Sequence, residues 1–559
     1  MIRRPPLPLD RRAFLRGALA TSGGVILGCS RDAAPPAPPP VGVIPALGPR
    51  ERLVTAPPPS PLPSTAPAMV PSARLRPILT HGVQSGDVTA NDAVLWGRSD
   101  RLARLMVEWD VDPRFPNPRR AAGPVATAET DFCARLDLTG LPPGRRIHYR
   151  LVFESPDTPG ATSEPAPGSF VTAPVDRADV LLAWSGDTAG QGWGINLEWG
   201  GMKIYEAMRR LAPDFFIHCG DMIYADAPIL PEVTLADGTL WKNVTTPAKS
   251  KVAETLAEFR GNFAYNLLDE PVRRFNAEVP SLVMWDDHET HNNWYPSQIL
   301  EDERYREKSC RVLSERARRA MFEYTPIRPG SADPGRIYRS FHRGPLLDVF
   351  LLDERSYRGD NTENRQPVAG PDTAFLGAAQ LAWLKEGLAA STATWKLVAT
   401  DMPLGLVVGD PHRNGLLMQE AWANGSGPPL GRELELAELL RFVKRRRVRN
   451  IVFVTADVHY AAAHHYDPRR AEFADFDPFW EFVAGPLHAS TYGPNKLDPT
   501  FGPEVRYQSP PSGKYRRGPA DGGQYFGTMH IDGKSEVLTV ALFDLVGTKL
   551  YSVDLPPAR

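Results

Sequence analysis

The sequence predicts a layered α/β body preceded by a small β-sandwich, and three observations carry that prediction. From about residue 178, short apolar runs alternate with helical stretches. Between 76 and 175 the runs are β-like, apolar or alternating in polarity, and divided by turn residues. The later apolar runs also end, one after another, in clusters of acidic and histidine side chains. Strands alternating with helices argue for α/β layers, whereas closely spaced strands with turn signals argue for an all-β unit.

The apolar runs 180–184, 215–217, 282–285, 347–352, 397–399 and 451–454 are short and read as buried strands. Helices are expected over 207–211, 251–263, 380–389 and 433–446. In the last, Leu434, Leu436, Leu439 and Leu440 form an apolar face. Runs 525–531, 537–545 and 550–555, separated by Asp532-Gly533 and Gly547, suggest an antiparallel finish to a second sheet. In the β-rich part, Leu141-Pro142-Pro143-Gly144 before Tyr149 resembles the tyrosine corner of fibronectin type III-like sandwiches. No catalytic residue types cluster there, so a spacer or packing role is expected, with Asp87 in a turn.

Residues 1–29 read as an export signal rather than as fold. Arg11-Arg12-Ala13-Phe14-Leu15-Arg16 is a twin-arginine pattern, and the apolar stretch 18–27 is too short for a permanent span. Ile26-Leu27-Gly28-Cys29 resembles a lipoprotein cleavage box, which would leave Cys29 lipidated. Residues 30–75, rich in proline and alanine, read as an extended linker. A periplasmic or cell-envelope location is expected, with the twin-arginine export machinery as a partner and a monomeric body.

With 64 basic and 66 acidic residues the net charge is −2, which excludes an electrostatic nucleic-acid binder. Lys444-Arg445-Arg446-Arg447 reads as a solvated helix end. Cys133, Cys219 and Cys310 are scattered, without disulfide or zinc spacing, and Cys219 should point into the core.

The strand ends carry the chemistry. They give Ser185-Gly186-Asp187, then Gly220-Asp221 with Tyr224 and Asp226, then Asp286-Asp287-His288-Glu289 with Asn292 and Asn293. Asp353-Glu354-Arg355 with Arg358, and Asp457-Val458-His459, complete the set. Open α/β sheets build sites at the carboxyl ends of their strands. Oxygen and imidazole ligands with little sulfur suit hard or borderline ions. Two ions sharing a carboxylate clamp a phosphate and activate a bound water.

Gly220-Asp221-Met222-Ile223-Tyr224, Trp285-Asp286-Asp287-His288-Glu289, Asn292-Asn293-Trp294 and Ala456-Asp457-Val458-His459 resemble the alkaline phosphatase D family of calcineurin-like metallophosphoesterases. His81-Gly82-Val83-Gln84-Ser85-Gly86-Asp87 resembles the start of that family's N-terminal β-domain. The resemblance covers about 78–555. It implies a four-layer αββα sandwich over 178–559, behind the β-sandwich of 76–175, and hydrolysis of phosphoric esters by a metal-bound hydroxide. By position it implies Asp187 on a first metal, Asp221 bridging, Tyr224 as a phenolate ligand favouring ferric iron, and Asp287 on the second metal. Asp457, His459 and Asn293 would complete the shell, and His288 would face the substrate. Arg355 and Arg358 become candidates for gripping phosphate, against ordinary pairing with Glu354 or Asp360. Two or more ions are implied, Fe(III) and Ca among them. Manganese and zinc stay open, because Asp187 stands where some members carry cysteine. The competing reading is an envelope lipoprotein that binds a ligand or wall polymer, with an inactive phosphoesterase domain.

Overall fold

The computed structural model describes residues 73–411, 417–510 and 518–559. The twin-arginine pattern, Cys29 and the linker up to residue 72 lie outside the described residues. No helix among the described residues is long and apolar enough to cross a membrane.

Two large sheets stack face to face. The first has nine strands, in the order Lys549–Leu555, Leu538–Asp544, Tyr525–Ile531, Val180–Ser185, Phe215–Cys219, Ser281–Met284, Leu79–Gly86, Ala93–Ser99 and Cys133–Leu138. Val180–Ser185, Phe215–Cys219 and Ser281–Met284 run parallel. The second sheet has seven strands, in the order Arg339–His342, Leu347–Leu351, Trp395–Ala399, Ile451–Thr455, Phe479–Val483, Ala461–Tyr466 and Pro503–Ser509. Its inner strands from Leu347–Leu351 to Phe479–Val483 are parallel.

Period-two burial explains the layers. In the second sheet Leu347, Val349, Leu351, Leu397, Ala399, Val452 and Val454 join the core shared with the first sheet. The intervening Phe350, Val398 and Phe453 join the outer core under helices Gly377–Ala390 and Glu433–Arg446. Helices Ile204–Arg210, Leu256–Asn266, Glu270–Glu278 and Cys310–Tyr324 pack into the first sheet's core, where Phe275 meets Phe216 with ring centroids 5.3 Å apart. The result is the four-layer αββα sandwich expected.

The C-terminal strands correct the sequence reading. They do not finish a second sheet: Tyr525–Ile531 pairs antiparallel with Val180–Ser185 and extends the first. Cys310–Tyr324 and Glu270–Glu278 are helices that the apolar pattern did not mark.

The β-sandwich pairs a four-stranded sheet (Arg119–Ala126, Ala103–Asp110, Arg146–Glu154, Ala166–Val171) with Leu79–Gly86, Ala93–Ser99 and Cys133–Leu138. Leu95, Leu105, Val107, Leu136, Tyr149 and Phe153 fill it. The second group of strands is also the edge of the nine-stranded sheet, joined where Gly86 lies opposite Ser281. Asp87 does more than turn the chain there. Buried to 1% exposure, it accepts from Arg339 Nη2 at 2.8 Å and from the Arg328 backbone N–H at 2.6 Å.

Candidate metal centre

Strands of both sheets deliver their carboxyl ends to one place. Asp187, Asp221 and Asp287 follow three adjacent parallel strands of the first sheet, and Asp457 and His459 follow Ile451–Thr455 of the second. The turns are sharp. Left-handed φ values occur at Asp187 (68°), Asp221 (52°), Asn293 (59°), Asp457 (52°) and His459 (59°). Asp, Asn and His tolerate this region better than other side chains, yet five together mark backbone strain concentrated at one site. Gly220, at φ 97°, precedes Asp221 where an added Cβ would overlap Asp286. A larger residue cannot stand there without moving the loop.

Ligand atoms form two groups, each with all atoms within 4.8 Å of one another: Asp187, Asp221 and His459, and Asp221, Asp287 and His288. Asp221 belongs to both. His459 donates Nδ1–H to the Ser490 carbonyl at 2.5 Å, which leaves the Nε2 lone pair for the site. That Nε2 lies 3.4 Å from Asp187 Oδ1 and 2.9 Å from the Tyr224 hydroxyl. Both oxygens of Asp187 and Oδ1 of Asp287 are buried with no hydrogen-bond partner among the described residues. Buried carboxylate oxygens without donors are costly unless a cation takes them. The site therefore fits metal ions.

The charges agree. Burial, then the negative charges of Asp287, Asp286, Glu289 and Asp187, pushes the Asp221 carboxyl well above its usual range. Burial, then Asp221 and Asp187, raises the Tyr224 phenol in the same way, so ionisation of either group calls for a cation. His288 shares a 2.8 Å hydrogen bond between Nδ1 and Asp226, and its ring stacks on Tyr224 at 4.2 Å. Burial opposes a charged imidazole, but Asp226 and Asp287 outweigh it and push His288 up to about 10.

Residues 182–542 match the model of the PhoD-like phosphatase family, and 64–174 match its N-terminal domain. The chain belongs to this family. It is 28% identical over 442 residues to alkaline phosphatase D of Bacillus subtilis (strain 168), covering 75% of this chain and 70% of the relative. A solved structure of PhoD superposes with a TM-score of 0.64 at 22% identity, covering 87% of this chain and 90% of that one. A purple acid phosphatase from yellow lupin (Lupinus luteus) seeds gives 0.53 at 13% identity, covering 86% and 74%. The protein is a phosphatase of the PhoD-like family with a metallophosphoesterase fold.

Not every expected residue reaches the centre. Arg355 is a correction: its guanidinium is wholly buried, hydrogen-bonds Asp286 and Glu420, and lies 3.3 Å from Asp401 and 4.0 Å from Asp287. Enclosed by carboxylates, it balances their charge and has no face toward a substrate. Arg358 is likewise buried and donates to Asn361 and to the Glu420 carbonyl. Neither arginine pairs with Glu354 or Asp360. Asp457 is half-buried and in neither ligand group; burial, then the charges of Asp286, Glu420 and Asp287, raises its pKa. Asn293 donates its backbone N–H to Asp287 Oδ2 at 2.6 Å, which seats it beside the second group.

Around the ligands, Glu289 accepts from the Met222 and Asp286 backbone N–H groups, at 2.6 and 2.9 Å, and ties two ligand loops together. Leu487 and His488 donate backbone N–H groups to the carbonyls of Gly186 and Asp187 at 2.8 and 3.0 Å and so brace the first loop. His488 bonds the Gly194 carbonyl, and His464 and His465 sit on the strand Ala461–Tyr466. Cys219 lies in the main core as a free thiol. Sequence reasoning missed Asp401, although it follows the strand Trp395–Ala399 by two residues as Asp187 follows Val180–Ser185, and it missed Asp410 and Glu420, which sit in and after the short paired strands Gly409–Pro411 and Leu417–Gln419.

Proposed function

We propose that the protein is an exported hydrolase of phosphoric esters that works with two metal ions sharing Asp221. The observation that carries this reading is the membership of Asp221 in both ligand groups. Asp187, His459 and Tyr224 would hold one ion, and Asp287, with Asn293 and Asp457 beside it, the other. Ferric iron with calcium suits a phenol on the first side and oxygen ligands on the second; manganese or zinc fits the same donors. Bound there, such ions supply charge neutralisation and an activated water for attack on phosphorus.

The chain's own residues do the rest. Asp226 fixes the imidazole of His288 through Nδ1 and leaves Nε2 directed at the site, 3.8 Å from Asp287 Oδ1. A proton held on Nε2 is placed for the departing alcohol oxygen. The Ser490 carbonyl fixes the His459 ring so that Nε2 stays a ligand atom. The twin-arginine pattern at Arg11-Arg12 supports export to the periplasm or cell envelope, and the box ending at Cys29 supports a lipid anchor.

The test is hydrolysis of nitrophenyl phosphate and bis(nitrophenyl) phosphate by the purified protein, before and after chelation. Turnover of at least one ester, lost with the metal and regained on its return, is expected. Activity on neither ester, or activity indifferent to chelator, overturns the reading.

A further inference from the structure

Asn293 presents two different atoms, an amide oxygen that can bind a cation and an amide nitrogen that cannot. A chain of hydrogen bonds decides which one faces the Asp287 side. It starts at Arg358 and Arg432, both buried and both donors only. Each gives Nη2–H to Asn361 Oδ1, at 2.8 Å in both cases. With that oxygen taken, the Asn361 Nδ2 faces the other way and donates to Asp410 Oδ2 and to the Asn293 backbone carbonyl, each at 2.9 Å. A carboxylate can only accept, so the second Asp410 oxygen receives Asn293 Nδ2, at 3.0 Å. The amide oxygen of Asn293 is thereby turned away from Asp410. Neither amide in this chain can flip without setting donor against donor or acceptor against acceptor.

We propose that Asp410 is a positioning residue that, with Asn361 and the two arginines, holds the Asn293 amide oxygen toward the ion shared by Asp221 and Asp287. The inference rests on the paired-ion reading above. It also gives Arg358 a purpose other than gripping phosphate.

The substitution Asp410→Asn is nearly isosteric and inverts the logic. The new amide accepts from Asn361 with its oxygen and presents its nitrogen to Asn293, whose oxygen must then turn toward it. Titration of the metal-free full chain with Mn2+, followed by electron paramagnetic resonance, reads both sites. The parent should bind two ions. Asp410→Asn should bind the first unchanged and the second about 10–100-fold more weakly, the usual loss when a ligand's supporting partner is removed. The double variant Asn293→Asp with Asp410→Asn should recover the second ion, because an aspartate offers one oxygen to the new amide and the other to the metal. Unchanged affinity in Asp410→Asn, or a double variant as weak as the single, overturns the proposal. A parent that binds fewer than two ions fails earlier, at the paired-ion reading itself.

Discussion

At His288 the carboxylate behind the ring sets how long the imidazole keeps its proton. Asp226 and Asp287 hold its pKa up to about 10 against the effect of burial. A histidine raised in this way is charged below that value and loses its proton as pH climbs through it. If the charged ring serves the leaving oxygen, kcat falls on the alkaline side, and Asp226→Asn brings that fall to lower pH. A kcat–pH profile checks this, and an unmoved alkaline limb contradicts it. His288→Ala should keep both ions, since Asp221, Asp287 and Asn293 remain, while kcat drops about 10²–10⁴-fold. Loss of metal in that variant would make His288 a ligand instead. At this scale the sequence was informative where chemistry is local. Asp187, Asp221, Asp287 and His459 each directly follow a strand, so adjacency alone reveals them. The role of Arg355 was illegible because three of its partners, Asp286, Asp401 and Glu420, come from three separate segments. Charge balance in a buried cluster is a tertiary property.

The element that recurs is a parallel strand emptying into a tight left-handed turn, and its glycines make close approach possible. An added Cβ at Gly190, in the loop after Val180–Ser185, would overlap the Tyr224 ring. Gly190→Ala should therefore displace the phenol, at a cost of about 1–3 kcal/mol as in other overpacked sites. In iron-loaded protein the phenolate-to-iron absorption should disappear while the second ion stays; a retained band contradicts the placement of Tyr224 on the first ion. Helices were legible in proportion to their apolar stripe. Glu433–Arg446 was read to the residue, because leucines mark its face and basic residues mark its end. Cys310–Tyr324 escaped because its buried face includes Ala317 and Ala320, with arginines at 316, 318 and 319 interrupting any apolar run. Glu270–Glu278 was hidden by Pro271 and the Arg273-Arg274 pair, although Asp269 followed by proline in the first turn is a helix start.

Across the whole molecule, the sandwich and the catalytic layers share one sheet, and the Asp87–Arg339 pair locks the seam. Asp87→Ala would take the carboxylate from Arg339, whose guanidinium keeps the Val283 and Ile337 carbonyls, and should cost about 1–3 kcal/mol. Denaturant unfolding measures that loss, and an unchanged midpoint would show the seam to be held by packing alone. The sequence predicted both architectures but not the seam, where the two strands pair only at Gly86 and Ser281, some two hundred residues apart in the chain. The same large-scale geometry creates the metal centre, since His459 comes from one sheet and Asp187, Asp221 and Asp287 from the other. Asp221 is where the two ligand groups meet, and counting metal in Asp221→Asn tests the account most directly. The parent should carry two ions per chain, and the variant should lose both together with ester hydrolysis. A variant that keeps its full metal content would contradict a shared carboxylate at Asp221.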